Sequence, residues 1–129
     1  MLILQRPEIS QEDLGNSRAN FVIEPLEPGF GLTLGNTMRR ALLSRVPGVA
    51  VTGVKIDGVN HEFTSVPGVV EDVLDILLNL KRLVLKVDDQ ESHTLTVKAK
   101  GPGEVKAAQI QCPAGVEVVN TDLKICTLS

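Results

Sequence analysis

The chain has 129 residues, of which 43% are hydrophobic and only 2% aromatic, so its core must be built from aliphatic side chains. A formal net charge of −3 and a pI of about 5.3 argue against a nucleic-acid-binding protein, because such proteins are usually basic. No apolar run approaches the roughly 20 residues that span a bilayer, and no signal peptide is evident, which favours a cytoplasmic protein.

The first part of the chain predicts one strand and one helix. Residues 1–18 begin with an apolar MLIL and then turn polar and acidic, so we expect an extended, partly loose segment. Residues 20–26 are typical of a strand. A glycine-rich turn that begins at 27–29 then leads into a helix that Pro47-Gly48 ends, and Thr33 is its expected N-cap.

This helix has two distinct faces, because successive residues turn by about 100° around its axis. The apolar face comprises Leu34, Met38, Ala41, Leu42 and Arg45, with Val46 at its edge. Arg45 lies in the last turn, where a cation suits the helix dipole. The other side is basic and polar, and comprises Asn36, Arg40, Leu43 and Ser44, with Arg39 between the two faces. The pattern is typical of a surface helix with one buried side and solvated arginines, but it also fits a helix that uses both faces.

The rest of the chain predicts a second helix among strands. VAVTGVKIDGV (49–59) predicts a strand ending in an Asp-Gly turn, and His61-Glu62-Phe63 a short extended piece. An apolar stripe over 69–81, acidic near its start and basic at its end, predicts the helix. Four further strands are predicted at 83–87, 93–100, 116–119 and 123–128, the first two joined by a polar hairpin loop. The fold class is α+β, with two short helices and mostly antiparallel strands.

Two patterns imitate catalytic or cofactor sites. Gly29, Gly31 and Gly35, followed by Asp57 after the next predicted strand, resemble the spacing of a dinucleotide-binding βαβ unit. The alternative is that the glycines make the turn and Asp57 serves its own Asp-Gly turn. His61 and Glu62 form a weak acid–base pair, because neighbours in an extended chain point to opposite faces.

Cysteine and histidine spacing does not predict a metal site. Cys112 and Cys126 lie far from any CxxC pattern, and His61 and His93 are not spaced to complete a zinc site. We expect two buried free thiols and an inert His93.

Several motifs resemble a known family. LEPGFG and TLGN, followed by RR, LLS and PG, resemble the N-terminal domain of the bacterial RNA polymerase alpha subunit. KIDGVNHEFTSVPGVVEDVLDILLNLKRL, GPGEVKAAQI and ICTLS are similar to later segments of that family, in the same order. The opening LILQRPEIS looks most like actinobacterial members.

The resemblance implies an assembly scaffold of DNA-directed RNA polymerase. The large beta and beta-prime subunits of that enzyme carry the catalytic residues, so no catalytic residue, cofactor, metal or nucleic-acid contact is expected here. The expected homodimer surface comprises Phe30, Leu34, Met38, Ala41, Leu42 and Arg45. The expected large-subunit surface comprises Asn36, Arg39, Arg40, Leu43, His61, Glu62 and Phe63. The competing hypotheses are a dinucleotide-binding enzyme and an interaction module unrelated to transcription.

The resemblance also implies a domain organisation. Residues 1–48 match the first half of a discontinuous dimerisation subdomain, and 49–129 match an inserted β-rich subdomain that is incomplete at its C-terminal end. On this interpretation the chain is truncated and lacks the returning half of the first subdomain. We therefore expect an uncovered apolar stripe on the first helix and an unpaired edge on strand 123–128.

Overall fold

The computed structural model describes residues 5–129, which contain two helices and short, antiparallel strands. This confirms the predicted α+β class. The chain divides into two compact units, Met1–Pro47 and Gly48–Ser129. The strands are β1 (Glu8–Gly15), β2 (Arg18–Glu24), β3 (Leu85–Val87), β4 (Gly103–Lys106), β5 (Val116–Val118) and β6 (Lys124–Leu128). The helices are α1 (Phe30–Arg45) and α2 (Val73–Lys81), with a 3-10 turn at Ala107–Gln109.

The first unit begins with a regular hairpin. β1 pairs with β2 from Glu8↔Glu24 to Gly15↔Arg18, so only Asn16 and Ser17 form the loop, both with positive φ. A two-residue loop with positive φ at both positions matches the twist of the strands it joins. Residues 8–15 are therefore extended, as predicted, but they form a regular strand and are not loose. The part of the prediction that covers residues 1–4 lies outside the described residues.

The second unit has a small aliphatic core. α2 packs against β6, which pairs with β4, while β3 pairs with β5. The buried side chains come from the helix, its C-terminal connection, the strands and the 3-10 turn, namely Val73, Ile76, Leu83, Val105, Ala107, Val116 and Ile125. Two asparagines link these elements. Asn79 of α2 donates to the Ile125 carbonyl of β6 at 2.9 Å, and Asn120, which follows β5, donates to the carbonyl of Arg82 just after α2 at 2.8 Å.

Helix α2 begins later than predicted. The apolar periodicity starts at Val69, but the helix starts at Val73. Residues 69–72 instead form backbone bridges, with Val69 opposite Leu128 and Asp72 opposite Ser65. These hydrogen bonds to other segments replace the first turn of helix. Because Val69 lies beside Leu128 at the end of β6, the prediction of an unpaired edge on strand 123–128 is wrong at that end.

Two predicted strands are also wrong as regular strands. Residues 49–59 form only the expected turn at Asp57-Gly58, where the Val59 N–H donates to the Ile56 carbonyl at 3.1 Å. Residues 93–100 make a single bridge, Thr96 with Gln111, and the hairpin partner expected for them is absent because β3 pairs with β5. Alternating apolar and polar residues indicate a half-buried extended segment, but a regular strand also needs a neighbouring strand in register.

Candidate functional site

The N-cap of helix α1 lies four residues before the expected one. Gly29 caps it with a φ of 87°, a left-handed conformation that glycine adopts without steric cost, and the Phe30 N–H donates to the Glu27 carbonyl at 3.0 Å. Thr33 is therefore inside the helix, and its prediction as N-cap is wrong. The helix ends at Arg45, whose cation lies in the last turn, and extended Val46 follows it before Pro47.

The apolar face of α1 is open to solvent. Phe30 is 57% exposed, Met38 40% and Leu42 60%, and Ala41 and Arg45 are exposed as well. Leu34 is half-buried, and the helix has no buried residue along its 16 positions. Because a lone surface helix normally buries its apolar stripe, this face is a candidate contact surface.

The opposite face of α1 is also partly apolar. Asn36, Arg39 and Arg40 are exposed there, together with Leu43, which is 75% exposed. Leu32 lies three helical turns before Leu43 and is 76% exposed, so it extends this face toward the start of the helix. We did not select Leu32 from the sequence, because the expected N-cap placed it outside the helix. The glycine at 29 was the signal that could have corrected this.

Two hydroxyl groups of α1 bond back to their own helix. The Thr37 Oγ1 donates to the Thr33 carbonyl at 2.8 Å, and the Ser44 Oγ donates to the Arg40 carbonyl. Such bonds between positions i and i−4 are a usual way to satisfy a hydroxyl inside a helix.

The His61–Phe63 segment forms a turn, so the predicted extended piece is wrong. All three residues are exposed, and Phe63 is 79% exposed. Within residues 5–129, no ion pair or hydrogen bond joins the side chains of His61 and Glu62. The turn therefore offers an aromatic contact group flanked by two polar ones.

The Glu71 carboxylate forms a cluster of polar contacts with β6. The Glu71 carboxylate accepts the Thr127 N–H at 2.6 Å and the Thr127 hydroxyl at 2.9 Å, and it pairs with the Lys124 ammonium at 3.1 Å. Burial acts to raise the pKa of Glu71, but these hydrogen bonds together lower it from 4.5 to about 2. Glu71 is therefore a charged, hydrogen-bonded group that fastens its segment to the strand.

The dinucleotide hypothesis lacks its architecture in the part of the chain that the structure describes. Every strand pair there is antiparallel, whereas a βαβ unit needs two parallel strands. Gly29 caps α1, Gly31 and Gly35 lie within it, and Asp57 belongs to its own turn.

The remaining candidates are isolated groups. Cys112 and Cys126 are free thiols, but Cys112 is exposed and Cys126 only partly buried, so the expectation of two buried thiols is wrong. Burial raises the pKa of the Cys126 thiol. His93 contacts Asp89 at 2.7 Å, and this hydrogen bond lowers the pKa of Asp89. Residues 5–129 contain no group of three or more His, Cys, Asp or Glu placed to hold a metal ion. No helix described by the structure has the length and hydropathy of a membrane span.

The fold and these surfaces define an α+β protein with two candidate contact surfaces, an exposed helix in the first unit and an exposed turn in the second. The chain belongs to the RNA polymerase Rpb3/RpoA insert domain family, whose family model matches residues 54–129. This confirms the resemblance to bacterial RNA polymerase alpha subunits that the motifs indicated.

Similarity to curated proteins extends over the whole chain. The chain is 58% identical over 129 residues to the DNA-directed RNA polymerase subunit alpha of Corynebacterium jeikeium and covers 38% of that protein. The same subunit is 60% identical in Corynebacterium glutamicum, with 38% covered, and 58% in Saccharopolyspora erythraea, with 36% covered. The chain thus spans under two fifths of the length of these relatives, and in each comparison the match includes α1 and the 61–63 turn.

Proposed function

We propose that this chain is an assembly part of a bacterial RNA polymerase alpha subunit. It pairs with a second copy of itself through the apolar face of α1 and binds the large beta and beta-prime subunits through the opposite face. The observation that carries the proposal is that α1 exposes apolar side chains on both faces, in a chain that is 58% to 60% identical to alpha subunits.

The proposed self-association surface is formed by Phe30, Leu34, Met38, Ala41, Leu42 and Arg45. Contact between two such faces would remove exposed apolar area from water, which contributes about 25 cal/mol per Å². The area is small for one helix, so a stable dimer needs support from neighbouring apolar residues. The exposed hairpin side chains Phe21 and Val22 are available for this in the same unit.

The proposed large-subunit surface has two parts. On α1 it comprises Asn36, Arg39, Arg40 and Leu43, to which the exposed Leu32 is added. In the second unit it comprises His61, Glu62 and Phe63. Arginine and aromatic side chains are enriched among residues that dominate binding energy, which makes Arg40 and Phe63 the proposed anchors.

The role in transcription is structural rather than catalytic in this proposal. The chain would be a non-catalytic part of a nucleotidyltransferase located in the cytoplasm, without a cofactor and without direct contact to nucleic acid. The net charge of −3 supports the last point. Residues 1–48 would be the first half of a discontinuous dimerisation subdomain and 49–129 its inserted subdomain.

Sedimentation equilibrium at micromolar concentration tests the proposed dimer. Leu42→Glu should weaken self-association by about 2 kcal/mol or more, because the contact would bury an unpaired charge. Leu32→Glu is the matched control, since it makes the same change at another exposed leucine of α1, on the face proposed for the large subunits. We expect it to leave the dimer unchanged.

The two variants also separate the faces in large-subunit capture. The Leu32→Glu variant should no longer capture the beta subunit. The Leu42→Glu variant should instead show weakened self-association as its main defect. A wild-type chain that stays monomeric at every concentration, also at the full length of its relatives, would contradict the proposal. Equal sedimentation of the two variants would contradict the assignment of faces.

A further inference from the structure

The segment between the 61–63 turn and α2 is a closed loop. The Val73 N–H donates to the Thr64 carbonyl at 3.1 Å, and Ser65 bridges Asp72, so the two ends of loop 64–73 meet. At its tip the Val69 N–H donates to the Val66 carbonyl at 3.1 Å, and Gly68 adopts a φ of 81°. Phe63 immediately precedes the point where the loop closes.

The tip of loop 64–73 rests on β6 through backbone hydrogen bonds. The Val70 N–H donates to the Thr127 carbonyl at 2.9 Å, and the Ser129 N–H donates to the Gly68 carbonyl at 3.0 Å. One bond lies at the penultimate residue of the strand and the other just beyond its last residue. Strand ends open more readily than strand centres, so these two bonds alone hold the loop weakly.

Apolar packing adds little to this attachment. Before Val73, which begins α2, the loop has no buried side chain: Val66 and Val69 are half-buried and Val70 is 68% exposed. The loop therefore lacks the buried side chains that give the core of this unit its stability. The attachment of this loop to β6 therefore depends on hydrogen bonds rather than on apolar burial.

Glu71 has the geometry for that task. Its carboxylate accepts hydrogen bonds from the Thr127 N–H and the Thr127 hydroxyl and pairs with the Lys124 ammonium. Three donor groups of β6 therefore contact one side chain of the loop. The Glu71 side chain is only 15% exposed, so water competes poorly for these bonds. Thr127 consequently has its N–H and its carbonyl both bonded to the loop, at Glu71 and Val70.

We infer that Glu71 is a positioning residue that locks loop 64–73 onto β6 and thereby fixes Phe63 for binding to its partner. The identity of that partner rests on the proposed function, in which Phe63 contacts a large polymerase subunit. The attachment itself is a property of this chain alone. It makes the end of β6 a support for the exposed aromatic group, although the two are far apart in sequence.

A single-tryptophan reporter tests the inference without any partner. The chain contains no Trp or Tyr, so Phe63→Trp provides one fluorophore at the position of interest. Adding Glu71→Gln should lower the fluorescence anisotropy, because the loop gains motion. Hydrogen exchange at the Val70 and Ser129 amides should rise at least tenfold, while the Val119 amide, which donates to Val84 elsewhere in the unit, should stay within twofold.

Two further variants calibrate the result. Glu117→Gln makes the same chemical change at an exposed position on β5 and should alter neither readout. Thr127→Val keeps a β-branched side chain in the strand, removes only the hydroxyl donor, and should give a smaller effect of the same kind. Because this change is mild, it keeps the test valid if Glu71→Gln unfolds the unit.

Three results would overturn the inference: unchanged anisotropy in Glu71→Gln, unchanged Val70 exchange, or an equal rise at Val119, which would make Glu71 a general stabiliser. Failure of the proposed function is recognised separately. In that case wild-type chain does not capture the large subunit, while anisotropy and exchange still report on Glu71. If both hold, Glu71→Gln and Phe63→Ala should weaken capture non-additively, because Glu71 acts through Phe63.

Discussion

The two units of this chain use their apolar residues in opposite ways. In residues 5–47, Ile23 and Leu34 are half-buried and every other side chain is exposed. In Gly48–Ser129, seven aliphatic side chains are buried around α2 and its strands. Hydrophobic burial is the main favourable term in folding, so the second unit contains a source of stability that has no counterpart among residues 5–47 of the first unit.

The largest expected effect comes from truncating matched aliphatic residues in the two units. Ile76, 6% exposed on α2, and Leu42, 60% exposed on α1, have the same number of carbon atoms. Ile76→Ala should cost roughly 2–5 kcal/mol of unfolding free energy, because it leaves a cavity. Leu42→Ala should stay within about 0.5 kcal/mol. Urea unfolding followed by circular dichroism measures both, and similar losses would remove the contrast between the units.

Acid should affect the second unit through Glu71. Its pKa is about 2 in the folded chain and 4.5 as the ordinary value, so below that value the unfolded chain binds more protons. Stability that is fully present above about pH 5 is therefore lost as the pH falls toward 2, by up to roughly 3 kcal/mol.

The matched variant for this acid effect is Glu71→Gln. Its deficit relative to wild type should be full at pH 6 and nearly absent at pH 2, as measured by urea unfolding at each pH. A deficit that does not change with pH would show that the carboxylate charge is not what stabilises this segment.

A smaller effect distinguishes the surfaces of the two units. Arg40 and Arg82 are both exposed arginines, one in the middle of α1 and one just after α2. Arg40→Ala should weaken binding of the beta subunit by about 2 kcal/mol if Arg40 is a central anchor, and should leave folding unchanged. Arg82→Ala serves as the control and should bind as wild type does. Titration calorimetry or quantitative pull-down measures the difference, and equal affinities would remove Arg40 from the proposed surface.

Secondary structure was predictable where one local signal dominated. The apolar periodicity of α1 and α2, the Asp57-Gly58 turn and the short strand at 116–118 could be identified from the sequence. Strand β1 was missed because Glu8–Gly15 is mostly polar, and its stability depends on a backbone ladder to β2 rather than on burial. The Gly15-Asn16 pair at its end was the available signal for a tight hairpin.

Pairing between distant segments could not be predicted in the same way. The first turn expected for α2 was lost to bridges with Ser65 and Leu128, and the strand expected at 93–100 found only Gln111 as a partner. Hydrophobic pattern specifies which face is apolar, but partner and register depend on long-range geometry. Leu32 and the role of Glu71 were missed for the same reason. One depended on the exact start of α1 and the other on a contact across the fold.

A partner that covers α1 would also remove water from two hydroxyl groups that are bonded to their own helix. Thr37 and Ser44 lie along one edge of α1, where its apolar face meets its polar side, and each already donates its proton to a carbonyl of its own helix. A partner that covers them therefore does not have to replace a lost bond to water for these donors, which removes much of the usual penalty for burying a hydroxyl. The part of the α1 surface that a partner can bury at low free-energy cost is consequently wider than its apolar residues alone suggest.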